Sequence, residues 1–192
     1  MEPCLLRCFG LCCLLLSSLS AAAADQLIEF KDIAGNDHQP FKDKKTKAIV
    51  VVFISTDCPI ANYYQPSLAR LKRDYEKAGV QFFLVHPDKR LKQKDAAKHA
   101  KEFKITAPVV IDTKHQWVKQ FKAQKTPEAI LLSREGKVFY QGRVDNTFVD
   151  LGKKRRVGIQ HDLKNALQAF VDGKPIKVAR TKPIGCFIST RD

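Results

Sequence analysis

The sequence lacks internal repeats, low-complexity stretches and any apolar run long enough to cross a bilayer. The apolar run near the N-terminus, over 8–19, has roughly 12 residues, whereas a membrane-spanning helix needs about 20. Apolar residues make up 44% of the chain and aromatic residues 9%, which excludes disordered, collagen-like and coiled-coil proteins. The 192 residues therefore predict one ordinary domain with a proper core.

The first 24 residues have the features of a secretory signal peptide. Arg7 precedes the short apolar run, and small residues lead to Ala24, after which cleavage satisfies the small-x-small rule. Cys12 and Cys13 leave a second interpretation open, in which a lipoprotein-type cysteine is lipidated. We expect the protein to be exported, either periplasmic or secreted, and soluble once the signal peptide is removed.

Cysteine is scarce in the chain that remains after export. Four of the six cysteines belong to the predicted signal peptide, so that only Cys58 and Cys186 are left. Exported compartments favour disulfides, and two cysteines allow a single pairing. The sequence leaves open whether these two thiols meet.

Acidic residues are few relative to basic ones, with 20 Asp and Glu against 34 Lys and Arg and a formal charge of +14. Dense basic stretches lie at 42–47, 89–94 and 153–156. One interpretation is attraction to an anionic envelope surface or an acidic partner, and the other is an ordinary solvated surface. No aromatic residues alternate with the basic ones, so we expect no nucleic-acid partner.

Strands and helices alternate along the chain. The runs at 48–54 and 80–85 are typical of strands that are covered on both faces. Helices are predicted over about 59–78, 92–103, 117–121 and 162–171, and further strands over 27–30, 108–111, 129–132 and 137–140. This order predicts an α/β fold with a mixed central sheet flanked by helices. We expect the domain to cover 25–175, with a surface loop over 146–158 and a C-terminal tail over 176–192.

Cys58 stands where the strand over 48–54 gives way to a helix. A helix start presents free N–H groups and the positive end of the helix dipole, which stabilise a thiolate and lower the pKa of the thiol. Pro59 suits the first helical turn, and Asp57 is a candidate cap of the same helix. The position predicts a reactive cysteine, and the alternative is a buried structural one.

The segment Val51-Val-Phe-Ile-Ser-Thr-Asp-Cys58-Pro59, the helix and strand after it, the pair Thr126-Pro127 and the following hairpin resemble the thioredoxin-fold redoxins. That group includes the thioredoxin-like reductases and the alkyl hydroperoxide reductase/thiol-specific antioxidant proteins. The resemblance covers about 26–172. It implies a thioredoxin-like fold, Cys58 as the catalytic thiol, and Pro127 as a cis-proline beside it. The residues that would bind substrate or support the thiol are then Ser55, Pro59, Thr126 and Pro127.

The chain departs from the familiar motifs of that group. Ala61 stands where a Cys-x-x-Cys motif would have its second thiol, so the chain is an atypical member without a local dithiol. Asn62 stands where related copper chaperones have the second cysteine of Cys-x-x-x-Cys. Peroxiredoxin-like proteins have Ser or Thr three residues before their cysteine, as Ser55 is here, but Val51 replaces their proline. Arg143 is a candidate for their activating arginine, with a structural ion pair as the alternative.

Cys186 has three interpretations: a resolving thiol that swings onto Cys58, a permanent structural bridge, or a free thiol with a separate role. His86 ends a core strand, at the sheet edge where sites form, and is a candidate base or a metal ligand together with the two cysteines. The bland alternative is a histidine bonded to backbone.

Thiol redox chemistry is the leading functional hypothesis. Cys58, as thiolate, would attack a protein disulfide or a peroxide, Cys186 would resolve the product, and a thiol reductant would restore the protein without a cofactor. A second hypothesis is a non-catalytic, copper-type metal-binding or assembly module. A third keeps the fold as a scaffold whose basic surface docks a partner.

Overall fold

A computed structural model describes residues 29–189. The predicted signal peptide and most of the strand predicted over 27–30 lie outside the described residues. Within 29–189, no helix is long and apolar enough to cross a membrane.

The centre of the molecule is a five-stranded mixed sheet in the order β5-β4-β3-β7-β8. Its strands are β3 (Ala48–Phe53), β4 (Val80–His86), β5 (Val109–Ile111), β7 (Glu128–Ser133) and β8 (Val138–Gly142). β3 is parallel to β4, which is parallel to β5, and β7 runs antiparallel to both β3 and β8. All six residues of β3 are buried, as a continuous β-branched run predicts. The predicted α/β fold with a mixed sheet is confirmed.

Helices cover both faces of the sheet. They are α1 (Pro59–Tyr75), α2 (Gln93–Glu102), α3 (Gln116–Phe121) and α4 (Asp162–Val171). Val50 and Val52 pack in one core cluster with apolar residues of α1 and α4, whereas Val51 and Phe53 pack with Trp117 of α3. This alternation follows from the two-residue period of a strand. The site described below lies where β3 ends and α1 begins.

Three short antiparallel strand pairs complete the fold. β1 (Phe30–Lys31) pairs with β2 (Asp37–His38), and β9 (Phe148–Asp150) pairs with β10 (Lys153–Lys154). The predicted loop over 146–158 therefore contains a hairpin, and its first residues are buried. Phe148 draws the loop inward because its ring packs edge-on against Tyr63 and Tyr64, at 5.1 and 5.8 Å between centroids.

The third pair attaches the C-terminal tail to the domain. β6 (Lys125–Thr126) pairs antiparallel with β11 (Cys186–Phe187). Earlier in the tail, the Thr181 N–H donates to the Gln141 carbonyl at 3.1 Å, and the Gln141 N–H donates to the Ala179 carbonyl at 2.9 Å. The described part of the predicted tail is thus packed against the sheet at two places.

Candidate functional site

Cys58 is the N-cap residue of α1. Its backbone is extended (φ −90°, ψ 106°), and its Sγ accepts a hydrogen bond from the Ala61 N–H at 3.5 Å. Pro59 takes the first helical position, where its missing N–H leaves no bond unmade. The predicted helix start is confirmed, but the sulfur itself caps the helix, and Asp57 is exposed. The sulfur therefore lies at the positive end of the helix dipole.

Thr126 faces Cys58 from the strand before a cis peptide bond. The Thr126–Pro127 bond is cis, as the resemblance implies. The Cys58 thiol donates to the Thr126 carbonyl at 2.9 Å. The Thr126 hydroxyl oxygen is buried and has no hydrogen-bond partner among residues 29–189. It is available to donate to Cys58 once that thiol loses its proton.

The pairing of β11 with β6 brings Cys186 to the same place. In this register Cys186 lies opposite Thr126, whose carbonyl accepts from Cys58, and both cysteines are free thiols. The two chains approach very closely at Gly185, where an added Cβ would lie 2.0 Å from the Thr126 oxygen. The missing side chain at Gly185 is therefore what allows the tail to seat Cys186 beside Cys58.

The two thiols have opposite acidities. Burial by itself raises the pKa of Cys58, but hydrogen bonds from the side chain of Cys186, from Thr126 and from the Ala61 N–H outweigh it, so this pKa lies below its ordinary value. Burial raises the pKa of Cys186 to about 11, together with the hydrogen bond to Cys58 and its negative charge, against a smaller opposing effect of Lys125. The Cys186 side chain thus makes Cys58 more acidic, and Cys58 makes Cys186 less acidic.

Solvent reaches the two sulfurs unequally. Cys58 is 0% exposed, whereas Cys186 is partly exposed. Cys186 lines a cleft of about 450 Å³ together with Ser55, His86 and Phe187. Cys58 is not among the lining residues.

His86 contributes a buried polar atom at this cleft. The residue is 1% exposed, and its Nε2 has no hydrogen-bond partner in the described part of the chain. Burial, followed by the nearby His99, lowers the pKa of His86 to about 3. The imidazole is therefore neutral at pH 7. No group of three His, Cys, Asp or Glu side chains that could hold a metal occurs within residues 29–189, so Cys58, Cys186 and His86 do not form the three-ligand set that was hypothesised.

Ser55 and Arg143, the other two candidate residues, both make hydrogen bonds within the domain. Ser55 lies before α1, where its carbonyl accepts from the Cys58 N–H at 3.4 Å. Arg143 forms a structural ion pair, in which its Nε donates to the Asp162 carboxylate at 2.7 Å. The alternative of a structural ion pair therefore holds for Arg143.

Asn62 is a supporting residue that sequence reasoning did not find as such. Its amide donates to the Thr56 carbonyl at 2.9 Å, and its Oδ1 pairs with the His99 ring at 2.8 Å. These contacts hold the segment that leads into Cys58. A signal existed, because Asn62 lies one helical turn after Cys58, where a polar side chain can reach back to the helix start.

A model of the redoxin family matches residues 22–153. The chain belongs to the redoxin family. The match ends before α4 and the tail, so Cys186 lies beyond it. This redoxin is also similar to the thiol-disulfide oxidoreductase ResA of Geobacillus thermodenitrificans, with 27% identity over 107 residues, 56% of this chain and 60% of that protein. The chain thus spans about 60% of the length of the curated relatives it matches.

Solved structures share the architecture of this redoxin over most of its length. A hypothetical protein of Sinorhizobium meliloti matches with a TM-score of 0.73 and 25% identity, over 84% of this chain and 91% of that one. An uncharacterized protein of Geobacillus kaustophilus matches with a TM-score of 0.71 and 26% identity, over 85% and 88%. A secreted disulfide oxidoreductase of Mycobacterium tuberculosis, at 14% identity and a TM-score of 0.55 over 78% and 99%, shows the fold alone.

Proposed function

We propose that this redoxin is a thiol–disulfide exchange protein whose redox pair is Cys58 and Cys186. Cys186 takes the part that the second thiol of a Cys-x-x-Cys motif would have, since Ala61 leaves that position without sulfur. In the reduced state both sulfurs are free, and Cys58 is the one that loses its proton more easily. In the oxidised state the two sulfurs are joined by a disulfide.

The observation that supports this proposal best is the register of β11 on β6. Cys186 lies opposite the residue whose carbonyl accepts from the Cys58 thiol, and its side chain is near enough to lower the pKa of Cys58. Two free thiols placed in this way need no large movement to become a disulfide. The swinging tail considered from the sequence is unnecessary, because the described tail is already docked.

The environment favours the reduced pair. Hydrogen bonds and the helix start stabilise the Cys58 thiolate, and a stabilised thiolate makes the corresponding disulfide a stronger oxidant. We therefore expect the reduction potential of the pair to lie towards that of oxidising members of the fold. Exchange with disulfides is favoured over reaction with peroxide, because Arg143 pairs with Asp162 and the similar curated proteins are thiol-disulfide oxidoreductases.

The partners in this function are a protein thiol or disulfide and a second thiol–disulfide couple that restores the protein. The features of residues 1–24 support export, so that the reaction would take place outside the cytoplasm. No metal or organic cofactor takes part in the proposed exchange.

The test is a redox titration of the full chain with Cys4, Cys8, Cys12 and Cys13 replaced by serine. The protein is equilibrated in glutathione buffers of graded potential, quenched with acid, alkylated and mapped by mass spectrometry. We expect one two-electron transition that converts two free thiols into a Cys58–Cys186 disulfide. The absence of this disulfide at every potential, or disulfide exchange by Cys58→Ser at the wild-type rate, would overturn the proposal.

A further inference from the structure

We propose that partners exchange with this redoxin at the Cys186 sulfur, and that Cys58 is an internal sulfur that never bonds to a partner. This inference rests on the proposed Cys58–Cys186 pair and states which of the two sulfurs reacts with a partner. It reverses the order considered from the sequence, in which Cys58 attacks first and Cys186 resolves.

The two cysteines differ in how far they are exposed to a partner. A disulfide or thiolate partner must approach the sulfur it attacks, yet Cys58 is 0% exposed. Cys186 lies on the side of the pair that faces the cleft of about 450 Å³, whose lining includes Cys186 and excludes Cys58. With the tail in place, Cys58 has no exposed surface, and Cys186 is the cysteine of the pair that is partly exposed and lines the cleft.

Hydrogen bonds hold the tail against the domain at two places. Near Cys186, β11 pairs with β6 and the Ile188 N–H donates to the Gln124 carbonyl at 2.9 Å. Farther back, the Thr181 hydroxyl contacts the Tyr140 hydroxyl at 2.7 Å and accepts from the Arg143 N–H at 3.0 Å. Exposure of Cys58 would break the first of these sets of bonds, whereas exchange at Cys186 breaks none of them.

The surroundings of Cys186 suit a partner's cysteine-containing segment. His86, whose Nε2 is buried and without a partner in residues 29–189, is among the residues that line the cleft. At the rim, Phe187 is 79% exposed, and Lys125 Nζ lies 4.3 Å from the centre of its ring. An apolar side chain and a cation beside the sulfur favour a peptide over a bare small oxidant.

The chemistry in the oxidised state balances as follows. A partner thiolate attacks Cys186 Sγ, a new S–S bond joins the partner to Cys186, and the Cys58–Cys186 bond breaks with its electron pair going to Cys58. The second thiolate of the partner then attacks the partner's own sulfur in the mixed disulfide, and Cys186 leaves and takes up a proton. The partner dithiol has lost two electrons, and the protein disulfide has gained them.

The acidity of the pair supports the same direction. A thiol of lower pKa is the better leaving group, and Cys58 is the sulfur whose pKa is lowered. In the reverse reaction, Cys186 first loses its proton and attacks a partner disulfide, which releases one partner thiolate; its pKa of about 11 makes this step slow. Cys58, as thiolate, then attacks Cys186, re-forms the internal disulfide and frees the second partner thiolate. Both directions use Cys186 as the sulfur that the partner touches.

The deciding experiment maps the transient mixed disulfide. Oxidised protein, free of the cysteines in residues 1–24, is mixed with glutathione as the probe thiol, quenched with acid after a short time, alkylated and mapped. We expect glutathione on Cys186 and the alkyl group on Cys58, in about tenfold excess over the opposite arrangement, which corresponds to about 1.4 kcal/mol of activation free energy. A comparable or larger share of glutathione on Cys58 would overturn the inference.

This experiment separates the two proposals. If the proposed pair is wrong, no Cys58–Cys186 disulfide is present in the starting material. If only the direction is wrong, the disulfide is present and glutathione is found on Cys58. The Gly185→Ala variant is a positive control for detecting glutathione on Cys58, because an added Cβ 2.0 Å from the Thr126 oxygen must loosen the tail. Gly35→Ala, with nothing within 4 Å of its added Cβ, should keep the wild-type distribution.

Discussion

Replacement of Gly185 by alanine should uncover Cys58. The added Cβ would lie 2.0 Å from the Thr126 oxygen and 2.7 Å from its carbonyl carbon, whereas ordinary contact begins at 3.4 Å. Both contacts are to backbone, so no side chain can rotate away to make room. Because Thr126 is buried within the domain, we expect the tail to move rather than β6.

The size of the effect follows from the bonds that such a movement breaks. β11 is held by its pairing with β6 and by the Ile188–Gln124 hydrogen bond, and each backbone bond contributes about 0.5–1.5 kcal/mol net. Loss of two bonds lowers the free energy of tail opening by about 1–3 kcal/mol, which raises the open population by roughly 5–150-fold.

The assay is alkylation of Cys58 under native conditions. The parent is the Cys186→Ser variant without the N-terminal cysteines, so that Cys58 is the one thiol that reacts. We expect Gly185→Ala to accelerate alkylation by about 5–150-fold, in proportion to the open population. Gly35→Ala, which has nothing within 4 Å of its added Cβ but is strained by a φ of +87°, controls for a general loss of stability. If Gly185→Ala reacts no faster than its parent, the tail does not cover Cys58 and the argument from access fails.

Three further predictions concern ionisation. Cys186→Ala removes a hydrogen-bond donor to the thiolate, so the ultraviolet thiolate titration of Cys58 should move to higher pH, and Cys186→Ser, which keeps a hydroxyl, should move it less. Thr126→Val should also raise the pKa of Cys58 and make the disulfide a weaker oxidant in glutathione titrations; an unchanged potential would contradict the proposed role of its hydroxyl. In the folded protein the pKa of His86 is lowered from 6.5 to about 3, so the imidazole is neutral at pH 7. Between pH 6.5 and pH 3 the unfolded chain therefore binds more protons than the folded protein, and the free energy of unfolding falls as the pH falls through this range. Urea denaturation should show wild type losing about 3 kcal/mol more than His86→Gln between about pH 7 and pH 4, and equal losses would refute a buried neutral His86.

Much of the secondary structure could be predicted because its causes are local. The strand expected over 48–54 is Ala48–Phe53, and the last helix, expected over 162–171, is Asp162–Val171. A β-branched run and an amphipathic repeat each carry their own signal within a few residues. The site at the start of α1 was predictable for the same reason, since Pro59 marks the first helical turn after a buried strand.

The prediction of a surface loop over 146–158 was wrong, because contacts with distant residues determine the structure there. The loop over 146–158 has a hydrophilic composition, but Phe148 packs against Tyr63 and Tyr64 of α1. This contact buries the first residues of the loop. Asp57 has a good capping side chain, but the sulfur of Cys58 caps the helix, because Pro59 takes the first helical position. The burial of Phe148 cannot be predicted from its neighbours in the chain, whereas the cap at Cys58 is a local feature.

The sequence by itself determined the order of strands and helices, the scarcity of thiols and the position of Cys58 at a helix start, because these depend on side chains a few residues apart. Only the tertiary structure decided that Cys186 lies opposite Thr126, that Gly185 leaves space for this contact, and which of the two sulfurs solvent can reach. Those properties arise from backbone pairing between segments far apart in the chain, and their register is set by packing that no local pattern encodes.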